Sequence, residues 1–185
     1  SRDLRAEMEY KPGNPSLPTG ALTVEAWVNL DSAGHWGGLV SALQDNGGFE
    51  QGWLLGYYKS RFCLALASTG SNDGDGMMTY LTSDKPLTTK RWHHVVGTCN
   101  GKIMGIVVDG VLAKESDAQS GKILYPKQTW FALGTYRDND ENYPMSGLMR
   151  SAAIWSKALS SARVKRRYMA QRPPPLIIRE PLAGP

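Results

Sequence analysis

Residues 91–110 read RWHHVVGTCNGKIMGIVVDG, and they contain two apolar, β-branched runs that each end in a dipeptide with glycine second. Asn100-Gly101 and Asp109-Gly110 are dipeptides that favour two-residue type I′ turns, because their residues accept positive φ at both turn centres. The sequence therefore predicts three successive antiparallel strands, at Trp92–Cys99, Lys102–Val108 and Val111–Glu115.

Alternation along these strands predicts which side chains share a face. One face would carry Val95, Cys99, Met104, Ile106, Val108, Val111 and Ala113, and the other Trp92, Val96, Ile103, Val107 and Leu112. Because both sets are largely apolar, at least part of each face should be covered. This arrangement is typical of a β-sandwich.

Further motifs on both sides of this stretch carry a family resemblance. They are Leu-Thr-Val-Glu-Ala-Trp-Val at 22–28, Trp-His-His-Val-Val at 92–96, Phe-Ala-Leu-Gly at 131–134 and Met-Ser-Gly-Leu-Met-Arg-Ser-Ala-Ala-Ile-Trp at 145–155. Together they resemble the laminin G-like, concanavalin A-like jelly roll over residues 21–169. The resemblance implies an all-β fold, an antiparallel two-sheet jelly-roll β-sandwich. It is less informative about function, since this fold carries lectins, adhesion modules, glycosidases and pentraxins.

The chain of 185 residues has the length of one domain. We expect an N-terminal lead-in at residues 1–20 and the jelly roll at residues 21–171, ending in a short C-terminal helix capped by Ser160. Residues 172–185 begin Arg-Pro-Pro-Pro and predict a stiff linker to a neighbouring module. No apolar run has membrane-spanning length, so we expect no membrane insertion. As one domain of a longer extracellular protein, the chain is expected to be secreted, periplasmic or at the cell surface.

The formal charge of +4 comes largely from the basic cluster at residues 163–167 and from the tail. Such a cluster on one terminal helix is usually a solvated face, and no nucleic-acid motif accompanies it. Nucleic acid is therefore not an expected partner.

Cys63 and Cys99 are the only cysteines, and each lies in a predicted strand. In a secreted sandwich such a pair could form a disulfide between neighbouring strands. The alternative is two buried free thiols. Pentraxins also have a bridge between strands, but the resemblance places their cysteines near Ala26 and Val95 of this chain.

Two acidic loops are candidates for a calcium site. Calcium prefers six to eight oxygen ligands from carboxylates, amides and carbonyls. In pentraxins an Asp-Asn pair before an apolar strand and a late acidic loop bind calcium together, and calcium then holds the ligand. By that resemblance the metal ligands here would be Asp45, Asn46, Asp138, Asn139 and Asp140. The alternative is ordinary turn chemistry, because Asp and Asn accept turn geometry readily.

Aromatic residues cluster in sequence around the same loops. Trp36, Tyr58, Tyr136 and Tyr143 are the candidate ligand-binding residues, because exposed rings beside polar groups suit the apolar face and hydroxyls of a sugar. We expect Tyr136 and Tyr143 to be exposed. The alternative for any of these rings is a place in the core.

No catalytic constellation is evident. A jelly-roll glycosidase often places two carboxylates at alternate positions of one cleft strand, and the predicted core strands lack such a pair. The sequence thus favours a non-catalytic binding module of a larger extracellular protein, which would recognise a glycan or a protein ligand through a calcium-organised loop site. The alternative is a structural or accessory domain attached to a catalytic neighbour, for which the last five residues resemble the lead-in to a metallophosphatase.

Overall fold

The computed structural model describes residues 17–70 and 78–172, together with the backbone of residues 6–10. Apart from Arg172, the predicted linker at 172–185 lies outside the described residues. Within them the chain forms two β-sheets and one helix. This architecture confirms the predicted all-β sandwich with a short C-terminal helix.

The larger sheet has eight strands and the smaller has five. The larger sheet contains β1 (Ala6–Tyr10), β3 (Trp36–Asp45), β4 (Glu50–Tyr58), β5 (Arg61–Ala67), β6 (Met78–Thr82), β10 (Thr129–Leu133), β11 (Thr135–Arg137) and β12 (Asn142–Pro144). The smaller contains β2 (Leu22–Ser32), β7 (Trp92–Cys99), β8 (Met104–Val108), β9 (Val111–Ser116) and β13 (Ser146–Trp155). Their orders are β1-β10-β3-β4-β5-β6 and β13-β2-β7-β8-β9, and a β11–β12 hairpin joins the larger sheet beside β3.

The main core fills the space between the sheets. The smaller sheet contributes Val24, Val28, Val95, Cys99, Met104 and Ile106, and the larger contributes Val40, Trp53, Leu55, Phe62, Leu64 and Leu66. Val96 and Val107 instead point outward from the smaller sheet, where they contact Leu159 and Val164. The predicted division of β7 and β8 into two apolar faces is therefore confirmed, with a core on each side.

The two predicted turns have different outcomes. Asp109 and Gly110 have φ of 52° and 77°, and Val108 pairs with Val111, so the two-residue turn is confirmed. The predicted two-residue turn at Asn100-Gly101 is wrong, because Cys99 pairs with Met104 across a four-residue loop. Side-chain Oδ1 of Asn100 accepts the N–H groups of Lys102 and Ile103 at 2.9 and 2.8 Å and fixes that longer loop. The loop is two residues longer than predicted. Because two is an even number, every side chain of β8 stays on its predicted face.

The helix α1 (Ser161–Gln171) packs on the outer face of the smaller sheet. Its N-cap is Ser160, as predicted, and the Ser160 hydroxyl accepts the N–H of Arg163 at 3.4 Å. Arg167 donates two hydrogen bonds to the buried carboxylate of Glu25, one of them from Nε at 2.8 Å. His94 Nε2 lies 3.2 Å from the same carboxylate. We call Glu25, His94 and Arg167 the helix clasp, because they bind the helix to β2 and β7.

The predicted disulfide is wrong, since both cysteines are free thiols. Cys63 lies on β5 of the larger sheet, between Phe62 and Leu64, whose side chains face the core. Alternation therefore directs Cys63 to the outer face, whereas Cys99 packs in the core. The two thiols are separated by a sheet layer and cannot approach bonding distance. Burial raises the pKa of both thiols, which keeps them protonated and unreactive.

Candidate functional site

A row of aromatic rings crosses the outer face of the larger sheet. Trp36 stacks on Tyr58 with ring centroids 4.1 Å apart, and it meets Tyr80 at 5.2 Å and Tyr136 at 6.1 Å. Tyr136 in turn meets Tyr143 at 5.5 Å. We call these five residues the aromatic band. They come from five strands, so no short sequence motif contains them.

Glycines in β3 allow the band to form. The register pairs Trp36 with Tyr58, and the next two residues are Gly37 and Gly38. A Cβ on Gly38 would overlap the backbone of Thr135 and Tyr136. The missing side chain therefore lets β11 lie directly on β3, and this brings Tyr136 into the band.

The acidic loops meet at one end of the band. Asn46 Nδ2 donates a hydrogen bond to Asp140 Oδ1, although the two residues are 94 positions apart. The backbone N–H of Asn139 donates to Gln44 Oε1 at 3.1 Å. The structure thus brings together the two halves of the predicted metal site, Asp45-Asn46 and residues 138–140.

Asp138 organises the second loop from the inside. Its Oδ1 accepts the N–H groups of Asp140 at 3.2 Å and Glu141 at 2.7 Å, and only 3% of the residue is exposed. Burial raises the pKa of Asp138, with partial opposition from these backbone hydrogen bonds, and the charge of Asp140 raises it further. The loop therefore contains a buried carboxylate that is stabilised by hydrogen bonds and has no ion pair with a Lys or Arg among the described residues.

Two tyrosines connect the band to this acidic end. Tyr80 donates a hydrogen bond to Asp45 Oδ2, while the Tyr136 hydroxyl lies 3.3 Å from the same oxygen and 3.1 Å from Asp138 Oδ2. Burial and the nearby carboxylates raise the pKa of both phenols, so the hydroxyls keep their protons. Because Tyr80 already donates to Asp45, the single proton of Tyr136 is free for Asp138, and each of the two carboxylates then has one phenol donor.

The four predicted ligand-binding aromatics all lie in the band. Trp36, Tyr58 and Tyr143 are partly exposed, but the expectation of an exposed Tyr136 is wrong, since only 2% of it is exposed. Tyr136 is covered because it packs between neighbouring rings and hydrogen-bonds inward. The sequence reasoning missed Tyr80, although its alternation with the buried Met78 on β6 is a signal that places both on one face.

The metal-ligating roles of Asp45, Asn46, Asp138, Asn139 and Asp140 stay predictions. In the part of the chain that the structure describes, no three side chains among Asp, Glu, His and Cys are arranged as metal ligands. The same described part contains no helix that is both long and apolar enough to span a membrane.

The architecture defines an all-β jelly-roll domain whose larger sheet presents aromatic rings next to acidic loops. The chain belongs to the concanavalin A-like lectin/glucanases superfamily, and a laminin G family model with that description matches residues 8–165. Pappalysin-1 from Mus musculus is 19% identical over 172 residues, which make up 87% of this chain and 10% of pappalysin-1. The chain therefore spans about a tenth of the length of the curated relatives it matches.

Solved structures agree on the fold. The native heptameric SAP-like pentraxin from Limulus polyphemus has a TM-score of 0.55 and 18% identity, over 89% of this chain and 81% of that chain. The carbohydrate-binding module CBM40 of the Ruminococcus gnavus IT-sialidase, bound to α2,3-sialyllactose, has a TM-score of 0.66 and 16% identity, over 81% of this chain and 83% of that chain.

Proposed function

We propose that this domain is a non-catalytic module of a secreted or surface-exposed protein and that it binds carbohydrate on the outer face of the larger sheet. The observation that carries the proposal is the aromatic band, which runs without interruption into the acidic loops. A flat, partly exposed stack such as Trp36 on Tyr58 suits the apolar face of a sugar ring. The carboxylates beside it suit hydroxyl groups.

Calcium is the proposed organiser of the acidic end. Asp45, Asn46, Asp138 and Asp140 supply the hard oxygen donors that calcium prefers. Their chemistry fits a cation, because the three aspartates lie close together and none of them has an ion pair with a Lys or Arg among the described residues. Bound calcium would neutralise this charge and offer open coordination positions to sugar hydroxyls.

The glycan-bound CBM40 domain shares the fold at low identity, and this supports carbohydrate as the class of ligand without naming the sugar. A location outside the cell or at its surface fits the kind of domain and the absence of a membrane-spanning helix among the described residues.

Thermal unfolding with excess calcium or with chelator tests the metal. A ligand at a hundredfold excess over its Kd adds about 2.7 kcal/mol, which corresponds to a rise in Tm of about 5–10 °C. Asp45→Asn and Asp138→Asn should abolish the rise. Asp84→Asn, at an exposed carboxylate elsewhere on the surface, should keep it. An unchanged Tm in the unsubstituted protein would remove calcium from the proposal.

Glycan-array binding in calcium tests the carbohydrate. Trp36→Ala should lose the array signal, whereas Leu148→Ala, at an exposed position on the other sheet, should retain it. An array without any hit would favour the second candidate, an accessory domain that contacts a catalytic neighbour. The match to pappalysin-1 supports that candidate, because it aligns this chain with about a tenth of a much longer protein.

A further inference from the structure

A cavity lies at an edge of the sandwich, on a different part of the surface from the aromatic band. We call it the edge cleft. It has a volume of about 450 Å³, and its apolar lining comes from Phe62, Leu87, Val108, Val111, Leu112 and Ala113. Cavities of this size accommodate small ligands. The cleft opens where the β6–β7 loop faces the β8–β9 hairpin.

Hydrogen bonds fix the loop wall of the edge cleft. The N–H of Ser83 donates to the carbonyl of Phe62 at 2.7 Å, and the N–H of Leu87 donates to the carbonyl of Ser60 at 2.8 Å. Arg61 also donates to the carbonyl of Ser83 at 3.0 Å. The loop is thereby held in place by β5 and by the turn before it, so the cleft exists before any ligand arrives.

A second set of contacts fixes the floor. His93 Nδ1 lies 2.9 Å from Asp109 Oδ2, and His93 Nε2 lies 3.0 Å from the carbonyl oxygen of Thr88. The ring of Phe62 packs edge-on against His93 with centroids 5.3 Å apart. These contacts engage both ring nitrogens of His93, so its imidazole is a structural part of the floor.

The charges around the cleft are not balanced. The carboxylate of Asp84 is 3.8 Å from Lys114 Nζ, and that of Asp109 is within ion-pair distance of His93 and Arg91. Lys85 also lines the cleft, and it has no ion pair with any described residue. One positive charge is therefore left available at the rim of an apolar cavity.

The apolar wall is open to solvent. Val111 is 67% exposed, the highest value among the large exposed hydrophobic side chains of the described residues. It belongs to β9, the edge strand of the smaller sheet. That strand also carries a register shift opposite Ile106–Val107 and the charged residues Lys114 and Glu115, features that disfavour the addition of another strand. A small ligand therefore fits this edge better than an extended peptide.

We propose that the edge cleft binds a small amphipathic anion, a molecule with an apolar body and one carboxylate, sulfate or sulfonate group. Its apolar body lies against Leu87, Val108 and Val111, and its anionic group lies next to Lys85. Lys85 thus selects the charge of the ligand, and the cavity limits the size. This site is independent of the carbohydrate-binding face.

The test titrates the full 185-residue chain with 8-anilinonaphthalene-1-sulfonate, whose fluorescence rises in apolar surroundings, and with the uncharged N-phenyl-1-naphthylamine. The expected result is one saturable site for each probe. Lys85→Gln should weaken binding of the sulfonate about fivefold, since an exposed charge pair contributes about 1 kcal/mol, and should leave the neutral probe unchanged. Val111→Glu should weaken binding of both probes, because it places a charge in the apolar wall at an exposed position.

Leu148→Glu is the matched control, because Leu148 is 54% exposed and lies on β13 at the other edge of the smaller sheet. Leu148→Glu should bind both probes like the unsubstituted chain. All variants should have the Tm of the unsubstituted chain. The proposal is overturned if the sulfonate does not bind with one-to-one stoichiometry, if Lys85→Gln weakens both probes equally or neither, or if Leu148→Glu weakens binding as much as Val111→Glu.

Discussion

The helix clasp gives the sharpest prediction about stability. In Arg167→Met the carboxylate of Glu25, 3% exposed, loses the guanidinium that donates two hydrogen bonds to it. Removing one partner of a fully buried ion pair costs about 3–5 kcal/mol. Because the side chain of Arg167 is 29% exposed, solvent screening reduces the expected loss to about 2–3 kcal/mol. For a domain of this size Tm should fall by about 5–10 °C.

The loss should depend on pH in a defined direction. Burial raises the pKa of Glu25, but the hydrogen bonds from Arg167 and His94 more than offset it, so the pKa in the folded protein lies below the usual value. A carboxyl with a lowered folded pKa adds stability above its unfolded pKa of about 4.3, and that stability disappears as pH falls through the folded value. The difference between Arg167→Met and the unsubstituted protein should therefore be largest near pH 7 and shrink below about pH 4.

Urea unfolding at pH 7 and at pH 3.5, followed by circular dichroism, measures both effects. Arg166→Met is the matched control: it removes the same side chain from an exposed neighbouring position, and the free energy of unfolding should change by about 0.5 kcal/mol or less. Equal losses in Arg166→Met and Arg167→Met, or a loss at Arg167 that does not vary with pH, would refute the proposed role of the clasp.

Three other substitutions or treatments test the fold and its link to the site. Gly38→Ala should lower the free energy of unfolding by about 3 kcal/mol and abolish glycan binding, because the new Cβ overlaps the Thr135–Tyr136 backbone. Gly48→Ala is the control and should change neither, since Gly48 has open space around it. Normal glycan binding by Gly38→Ala would contradict the role of the close approach between β3 and β11. Leu64→Ala should cost about 2–5 kcal/mol in urea unfolding, and exposed Leu148→Ala about 0.5 kcal/mol or less; similar losses would be inconsistent with the core. Reducing agent should leave Tm unchanged, and alkylation after unfolding without reductant should label both cysteines. Mass spectrometry that finds neither cysteine alkylated would reveal a disulfide.

Local sequence patterns predict the three successive strands between residues 92 and 116, because their apolar alternation is strong. Trp92–Cys99 has the predicted bounds, and Val111–Ser116 differs by one residue. The strands β1, β11 and β12 were not predicted. β11 and β12 have three residues each, and the acidic run between them has the composition of a loop, so their strand conformation depends on pairing with each other and with β3.

The candidate site could be predicted only in part. Nothing in the local sequence connects Asn46 with Asp140, and the family resemblance alone placed them in one site. The burial of Tyr136 and the presence of Tyr80 depend on which strands lie side by side, information that spacing along the chain does not contain. The same limitation explains the disulfide error, because the sequence places Cys63 and Cys99 in strands but does not show which sheet, or which face of a sheet, carries each thiol.

The position of helix α1 gives the domain a front and a back. The helix ends at Gln171, whose carbonyl accepts a hydrogen bond from Arg150 at 3.0 Å, on the smaller sheet. The aromatic band is on the opposite side, on the larger sheet. Attachment to a solid support or to a multivalent scaffold at the end of helix α1 would therefore orient the band outward. Arrays of such domains could engage a polymer surface with many repeated epitopes, where avidity compensates for weak affinity of each copy.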